Sequence, residues 1–486
     1  MRQFHLGGTL HFIGIGGIGM SGIAEVLHAS GYTVTGSDCA ENANVKRLRN
    51  LGVDVKIGHA PQNIEQAGVV IISTAIHPSN PELTAARVKR IPVIKRAEML
   101  AELMRLKKSI CISGTHGKTT TTSLCAALLD AAGGDPTVVN GGIINAYGTN
   151  ARLGKGEWFV AEADESDGSF LKLPGTIGIV TNIDPEHMEH FGAFENLVGA
   201  FEQFIHNLPF YGLAVLCNDH PVVKSLVAKI TDRRVVTYGL QPGADIMAVN
   251  IHMGPSGSRF DVQFNPDALI FKQKEGSWQP LQGIELPLYG EHNVQNALSI
   301  VGVAIELGFD EDILRKALSN FAGVKRRFTK TGEACGAVII DDYAHHPVEI
   351  KAVLKAARQA SQGKVIAVMQ PHRYTRLSSL FHDFIDAFDL ADSIVICPVY
   401  SAGEEVIKGF NEHTLGQKIQ QLHPQKTVIT MHQESDLAPI LIDLIAPGDF
   451  VICMGAGTIS GWANQLPDQL VELSLSIAQH AAEISN

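Results

Sequence analysis

The sequence predicts an α/β chain of three domains: an N-terminal Rossmann-like domain, a central P-loop-type ATPase α/β domain with a small antiparallel sheet, and a C-terminal Rossmann-like domain. Three observations predict it. Short apolar runs alternate with helix-length stretches along nearly the whole chain. Two of those runs end in glycine turns that open helices, at 14–19 and at 114–119. At 486 residues, the chain is also long for a single core. The boundaries fall at 1–107, 108–322 and 323–486.

Composition narrows the class. Hydrophobic content of 45% and charged content of 18% are ordinary for a soluble globular protein. A net charge of −11, from 39 basic and 50 acidic residues, argues against a nucleic-acid surface. No apolar run reaches membrane-spanning length, and the N-terminus runs almost directly into a glycine turn instead of a signal peptide, so no membrane insertion is expected. The seven cysteines are dispersed with no CxxC pair, which predicts a reduced, cytoplasmic compartment. A monomer or weak homodimer is expected.

The first domain opens with a strand from Thr9 into Gly14-x-Gly16-x-x-Gly19, a helix to about Ser30, a strand at 33–36, and then Ser37-Asp38. This has the form of the dinucleotide fingerprint, acidic residue included, and its direct reading is a nicotinamide-dependent dehydrogenase. Any diphosphate can lie on such glycines and helix N–H groups, and glycines kept only for close helix–strand packing are the plainer alternative. Further strands are read at 53–57, at 69–73 ending in Ser73, and at 91–94, with a closing helix to about Lys107.

The central domain begins with a strand at 109–113, the turn Gly114-Thr115-His116-Gly117, and a helix from Lys118. Unpaired N–H groups at that helix start, with the positive dipole end behind them, suit a triphosphate. Lys118 supplies a movable charge and Thr119 a hydroxyl for magnesium. Ile112 stands where the generic loop has its first glycine, so this is the shortened form GxxGKT. Strands at 158–163 and 176–181 each deliver an acidic segment, one holding Glu162, Asp164, Glu165 and Asp167, the other Asp184, Glu186 and His187. Carboxylates at strand C-termini near a nucleotide loop suit magnesium, for which histidine is the unusual donor. Short alternating runs at 246–251, 258–264 and 268–272 predict the small antiparallel sheet. Asn293 and Asn296 lie one turn apart on the next helix, where they could pair with an adenine edge or, for Asn293, cap the helix.

In the third domain, strands at 337–340 and 364–369 end in Asp341-Asp342-Tyr343-Ala344-His345-His346-Pro347 and Gln370-Pro371-His372-Arg373-Tyr374-Thr375-Arg376. Pro347 suits a first helical position. Arg373 and Arg376 suit a carboxylate clamp, against the alternative of a surface salt-bridge cluster. Strands at 393–398, 427–430 and 450–454 and a terminal helix at 469–482 complete the domain.

Together these residues resemble the Mur ligase family, ATP-dependent amide-forming enzymes that build the peptide of bacterial peptidoglycan, over essentially the whole chain. The resemblance implies ATP as co-substrate on Gly114, Thr115, His116, Gly117, Lys118, Thr119 and Thr120, with adenine at His292, Asn293 and Asn296. It places Arg327 at a phosphate and Asp342 near the ribose. Magnesium is implied on Thr119, Glu162 and His187. Among the family's branches, GIGGIGM near the N-terminus, DDYAHHP at 341–347 and QPHRYTR at 370–376 look most like the one that joins L-alanine to UDP-N-acetylmuramate. The UDP-sugar is then expected on Gly14, Gly16, Gly17, Ile18, Gly19, Asp38 and Ser73. The amino acid is expected among Tyr343, His345, His372, Arg373 and Arg376. After Arg326-Arg327-Phe328 the family usually has an acidic residue, and this chain has Thr329.

The implied chemistry is transfer of the ATP γ-phosphoryl group to a carboxylate, followed by attack of an amine on the acyl phosphate. Lys118 is expected to stabilise the transfer, and His345 or His372 to take the amine's proton. Substrate sites on three domains imply closure, which excludes water. A tripeptide-recycling ligase of the same family shares the ATP loop and most of DDYAHHP without HRYTR, and is the alternative within the family. The dehydrogenase and a non-enzymatic nucleotide switch are the alternatives outside it.

Overall fold

A computed structural model describes residues 8–254, 257–268 and 278–484. The chain forms two compact units. One comprises Met1–Asn250, Phe260–Leu286 and Val294–Val324, the other Ile251–Arg259, Pro287–Asn293 and Lys325–Asn486.

The first unit holds an N-terminal sheet of β1 (Thr9–Ile13), β2 (Val34–Asp38), β3 (Asp54–Ile57), β4 (Ala67–Ile72) and β5 (Val93–Lys95), in the order β3-β2-β1-β4-β5. Every pair is parallel. β1 is buried throughout, as the middle strand of a covered parallel sheet should be. Strand order reverses beside β1, so the glycine turn that follows it opens into the crevice where such sheets bind ligands. Helix Ile18–Ala29 leaves that turn and lies close on the next sheet. A side chain at Gly22 would meet Asn150 Nδ2 at 2.7 Å, and the same amide donates to Ile18 O at 2.7 Å.

The central sheet begins with β6 (Lys108–Ser113), β7 (Thr137–Ile144), β8 (Thr149–Arg152), β9 (Trp158–Glu162) and β10 (Ile177–Val180). It continues through β11 (Leu213–Cys217), β12 (Val235–Gly239), β13 (Ile246–Gly254), β14 (Gly257–Phe264) and β15 (Leu281–Leu286). Its order is β15-β14-β13-β12-β11-β10-β6-β9-β7-β8, with β7 and β8 antiparallel. β6 lies between β9 and β10, so the nucleotide turn and both acidic segments emerge side by side. The strands expected as a small sheet of their own instead extend this one, because Tyr238 and Gly239 on β12 pair in parallel with Ile246 and Met247 on β13. Of the run at 268–272, only Ala268 lies within the described residues.

The second unit carries β16 (Thr329–Ala334), β17 (Ala337–Asp342), β18 (Val365–Met369), β19 (Ser393–Ile396), β20 (Thr427–Thr430) and β21 (Phe450–Met454), in the order β16-β17-β21-β18-β19-β20. Only the edge strand β16 is antiparallel. Helix Pro347–Ala360 has Pro347 in its first turn, and His346 and Glu349 form a capping box. The terminal helix, Ile459–Ile484, starts earlier than expected because Pro467 is accommodated inside it. No helix among the described residues is long and apolar enough to cross a membrane.

A buried charge ties the N-terminal sheet together. Glu82, with 0% exposure, accepts from Ser37 Oγ at 2.6 Å, Asn63 Nδ2 at 2.5 Å and Ala60 N at 3.2 Å, and faces His11 Nε2 at 3.3 Å. Burial pushes its carboxyl up, but the bonds from His11, Ser37 and Asn63 outweigh it and hold the group below the usual range. Glu82→Ala should cost about 3 kcal/mol in urea unfolding, since several buried donors lose their acceptor. A folded-state value below the unfolded one adds stability above about pH 4.3 and loses it as pH falls further. Acid titration of the unfolding free energy should therefore be steeper for the wild type than for Glu82→Gln.

Candidate active site

β6 ends at Ser113, and the chain turns through Gly114 (φ +133°) and Gly117 (φ +83°) into helix Lys118–Ala131. Both glycines are required. A side chain at Gly114 would overlap Thr181, and one at Gly117 would meet Asn296 Oδ1 at 2.7 Å. The turn is stitched to the segment after β10. Thr115 N donates to Asn182 O at 3.1 Å, His116 N to Asn182 Oδ1 at 2.7 Å, and Asp184 N to Thr115 Oγ1 at 2.8 Å. No side chain caps the helix, so its first N–H groups face the turn as the anion-binding reading expects. Thr119 and Thr120 are buried beside it.

Lys118 is only 13% exposed. Its Nζ donates to Thr115 O at 3.0 Å, to Gly114 O, and to Glu165 Oε1 at 2.9 Å. Burial pulls its pKa down, but Glu165, Glu162 and Asp164 together outweigh that and hold the ammonium charged. Glu165, 1% exposed, is the main partner; the sequence places it among the carboxylates that suit magnesium but does not pair it with the loop lysine. The signal was its place in the acidic segment after β9, one residue past Asp164. His187 adopts φ +58° at the start of a short helix, with Nε2 3.8 Å from Glu165 Oε1 and 3.7 Å from Glu186 Oε2. Glu162 Oε2 accepts from Gly141 N at 2.8 Å.

These groups fit magnesium. Glu165 Oε2 is buried and, among the described residues, accepts no hydrogen bond with good geometry, while the ammonium of Lys118 lies 2.9 Å away. Glu162, Asp164 and Glu165 stand against two cations, Lys118 and Arg96, and so leave negative charge that a divalent ion would balance. Glu162, Glu165, His187 and Thr119 are the donors present.

A cleft of about 700 Å³ opens at the glycine turn after β1. Gly14, Gly17, Ile18, Gly19, Asp38 and Ser73 all line it. Gly16 does not: a side chain there would meet Asn42 Nδ2 at 2.7 Å, Val45 Cγ2 at 2.8 Å and Asp38 Oδ2 at 2.9 Å. Its glycine serves packing behind the cleft. Asn140, Gly141, Glu162 and Asp164 line the far wall, which brings the cleft to the edge of the nucleotide site.

The second unit gathers the remaining candidates. His345 Nδ1 lies 2.9 Å from Tyr343 O and 3.6 Å from Glu349 Oε2. The His345 and His372 rings are 5.9 Å apart, and His372 stacks on Tyr400 at 5.4 Å. His372 Nδ1 lies 3.2 Å from Arg376 Nη1, and burial, with His345 and both arginines, pushes its pKa down to about 4. Arg373 takes φ +67° and donates its N–H to Tyr400 O at 2.8 Å. Tyr400 is a residue that sequence reasoning missed, since nothing in the run at 393–398 marks it.

Arg326 and Arg327 approach the Tyr343 ring, at 4.6 and 5.3 Å. Thr329 Oγ1 accepts from Arg327 N at 3.3 Å. Asp342 is the carboxylate at this linker: it accepts from Phe328 N and Ala344 N, both at 2.7 Å, and burial pushes it up to about 6. His292 is pushed down to about 4 by burial and by Arg327 and Lys355. Asn293 Nδ2 donates to Tyr289 O at 2.8 Å, closing its own turn.

A buried loop lysine among acidic strand ends marks the class of nucleotide-dependent α/β enzymes. Family models match in tandem: "Mur ligase family, catalytic domain" at residues 9–108, "Mur ligase middle domain" at 112–304, and "Mur ligase, glutamate ligase domain" at 326–457. The chain belongs to the Mur ligase family. It is 57% identical over 463 residues to a UDP-N-acetylmuramate–L-alanine ligase of Rhodospirillum rubrum, covering 95% of each chain. A solved UDP-N-acetylmuramate–alanine ligase from Thermotoga maritima superposes with a TM-score of 0.79 at 27% identity, over 96% of this chain and 99% of that one. A murein peptide ligase from Psychrobacter arcticus shares the fold at 22% identity and a TM-score of 0.69, over 96% and 99%.

The lysine's burial changes what its removal should do. A loop lysine with little packing would be lost cleanly, whereas Lys118→Ala leaves Glu165 buried without its cation. Ligation should vanish, and unfolding should show a loss of about 3 kcal/mol. Lys118→Ala combined with Glu165→Gln should recover most of the stability and none of the activity.

Proposed function

We propose that this chain joins L-alanine to the lactyl carboxylate of UDP-N-acetylmuramate with hydrolysis of ATP, through an acyl phosphate. The observation that carries the reading is the near-full-length identity to a ligase of that name, joined to a phosphate loop with a buried lysine. On this reading residues 1–107 bind the UDP-sugar, 108–322 bind ATP, and 323–486 bind the amino acid. Seven free cysteines, five of them buried, support a cytoplasmic location.

Lys118 and the first-turn N–H groups hold the transferring phosphoryl group and neutralise its charge. Glu162, Glu165, His187 and Thr119 would hold magnesium, which would supply further charge neutralisation for the transfer. The amine must lose a proton to attack, and the two histidines differ in where their lone pairs lie. A carbonyl can only accept, so the bond to Tyr343 O puts the His345 proton on Nδ1 and the lone pair on Nε2. Glu349 near the same Nδ1 favours the imidazolium that forms. In His372 the relation is reversed: Arg376 donates to Nδ1, so Nε2 carries the proton. His345 is therefore the general base, and His372 is a neutral donor that orients the Arg376 fork. Arg373 and Arg376 hold the alanine carboxylate.

His345→Gln should abolish turnover while leaving L-alanine affinity within about threefold. The wild-type kcat should fall toward acid pH, as an imidazole base protonates. His372→Gln should raise the Michaelis constant for L-alanine and keep that acid limb.

L-alanine offers a protein little beyond its ammonium and carboxylate, since one methyl is worth about 1 kcal/mol in a pocket. Arg376→Lys should therefore weaken L-alanine use at least tenfold with UDP-N-acetylmuramate affinity unchanged, because lysine lacks the fork. Mass measurement of the product made from ATP, magnesium, UDP-N-acetylmuramate and mixed amino acids tests the whole reading. Ligation of a γ-linked tripeptide as efficient as that of L-alanine would overturn it.

A further inference from the structure

We propose that Arg96 is the residue that binds the diphosphate of the UDP-sugar, a role that rests on reading the cleft at the first glycine turn as the UDP-sugar site. No sequence motif marks this arginine. It stands at the start of helix Arg96–Met104, after the last strand of its sheet and far along the chain from the turn.

The structure folds it over that turn. A side chain built at Gly19 would meet Arg96 Nη1 at 3.0 Å and Cδ at 3.3 Å, so the guanidinium lies against the first turn of helix Ile18–Ala29. That helix has no side-chain cap and no acidic residue in its first turn. Helix N–H groups and a guanidinium therefore share one end of the cleft, which is the geometry that planar recognition of phosphate uses.

Charge makes the case stronger. Among the described residues that line the cleft, Arg96 is the one arginine or lysine, against Asp38, Glu162 and Asp164. Asp38 is already turned inward, accepting from Gly16 N at 2.8 Å and Ala40 N at 3.3 Å. A diphosphate entering a cleft with three carboxylates needs a fixed cation within reach, and no other lining side chain offers one without titrating. Arg96 is 21% exposed, accessible from the cleft while its stem is packed.

Its present partner is Asp164, with Nη2 to Oδ2 at 3.2 Å. Asp164 sits in the acidic segment that surrounds Lys118, and both cations hold its carboxyl low against the opposing effect of burial. When a diphosphate takes up part of the guanidinium, Asp164 keeps less of its partner and interacts more strongly with the loop lysine. Occupation of the UDP-sugar cleft is thereby felt at the nucleotide loop through one shared carboxylate.

Calorimetric titration of the full chain, without ATP, tests the assignment with three probes: uridine, UDP and UDP-N-acetylmuramate. Arg96→Ala should weaken UDP and UDP-N-acetylmuramate by the same factor, about tenfold to a hundredfold, and leave uridine unchanged. Arg96→Lys should fall between, keeping the charge but not the fork. Arg96→Gln serves if the alanine variant fails to fold, and a far-ultraviolet circular dichroism spectrum matching that of the wild type certifies the fold of any variant.

UDP affinity within twofold of wild type overturns the assignment, as does an equal loss for uridine. Loss confined to UDP-N-acetylmuramate, with UDP untouched, would give Arg96 to the sugar's carboxylate and overturn it too. Failure of the wild-type chain to bind UDP at all would strike the reading of the cleft itself, and is separable from the other outcomes because it needs no variant.

Discussion

The nucleotide site depends on one buried ion pair, Lys118 with Glu165. A lysine held inside a protein must have its three protons accepted, and here two loop carbonyls and one carboxylate accept them. That arrangement fixes the shape of the loop, because the carbonyls of Gly114 and Thr115 must turn inward to reach the ammonium. It also sets a condition on binding. An incoming phosphate competes with Glu165 for the lysine, and the released carboxylate has to find another cation. A site that binds polyphosphate as its magnesium complex meets that condition, since the ion arrives with the anion.

Everything around the pair follows from strand order. β6 between β9 and β10 brings the phosphate loop, the Glu162–Glu165 segment and the Asn182–His187 segment to one edge, although they are far apart in sequence. Asn182 and Thr181 then bond the loop directly, so the second acidic segment is also the loop's scaffold. Side chains that read as an independent metal cluster in the sequence are in part structural. His116 and His220 both face Asp184, which orients a carboxylate instead of leaving it in solvent.

The parts legible in the sequence are those where one residue type is forced by local backbone. Gly114, Gly117 and Lys118 could be placed from sequence alone because a positive φ and a helix start admit few alternatives. β7 was not legible: its Asn140-Gly141-Gly142 segment carries the marks of a turn, yet it continues a strand that pairs with β9 through Thr137–Val139, and Asn140 and Gly141 line the cleft. The terminal helix reads from 469 in the sequence, whereas it begins at Ile459 with Pro467 accommodated inside it. Tyr400 and Arg96 escaped for another reason. Their roles arise from contacts across elements, and nothing in their immediate neighbours records those contacts.

The two glycine turns show how far a shared local pattern carries. Both follow a buried middle strand and open a helix, and both have an acidic group nearby, so one rule describes them. Their carboxylates separate them. In the first turn Asp38 stands where the dinucleotide fingerprint puts its ribose contact, but it spends one oxygen on Gly16 N and the other on Ala40 N. It braces the turn from within, and the hydrogen-bonding capacity that a dinucleotide ribose would draw on is largely committed. In the second turn the acid faces a lysine inside the site and stays within reach of whatever binds there. The fingerprint therefore reports a phosphate-ready turn in both places. What the turn is for depends on where the nearby carboxylate points, and that is set by the elements packed behind it: Asn42 and Val45 behind Gly16 in the first case, Thr181 and Asn296 beside Gly114 and Gly117 in the second.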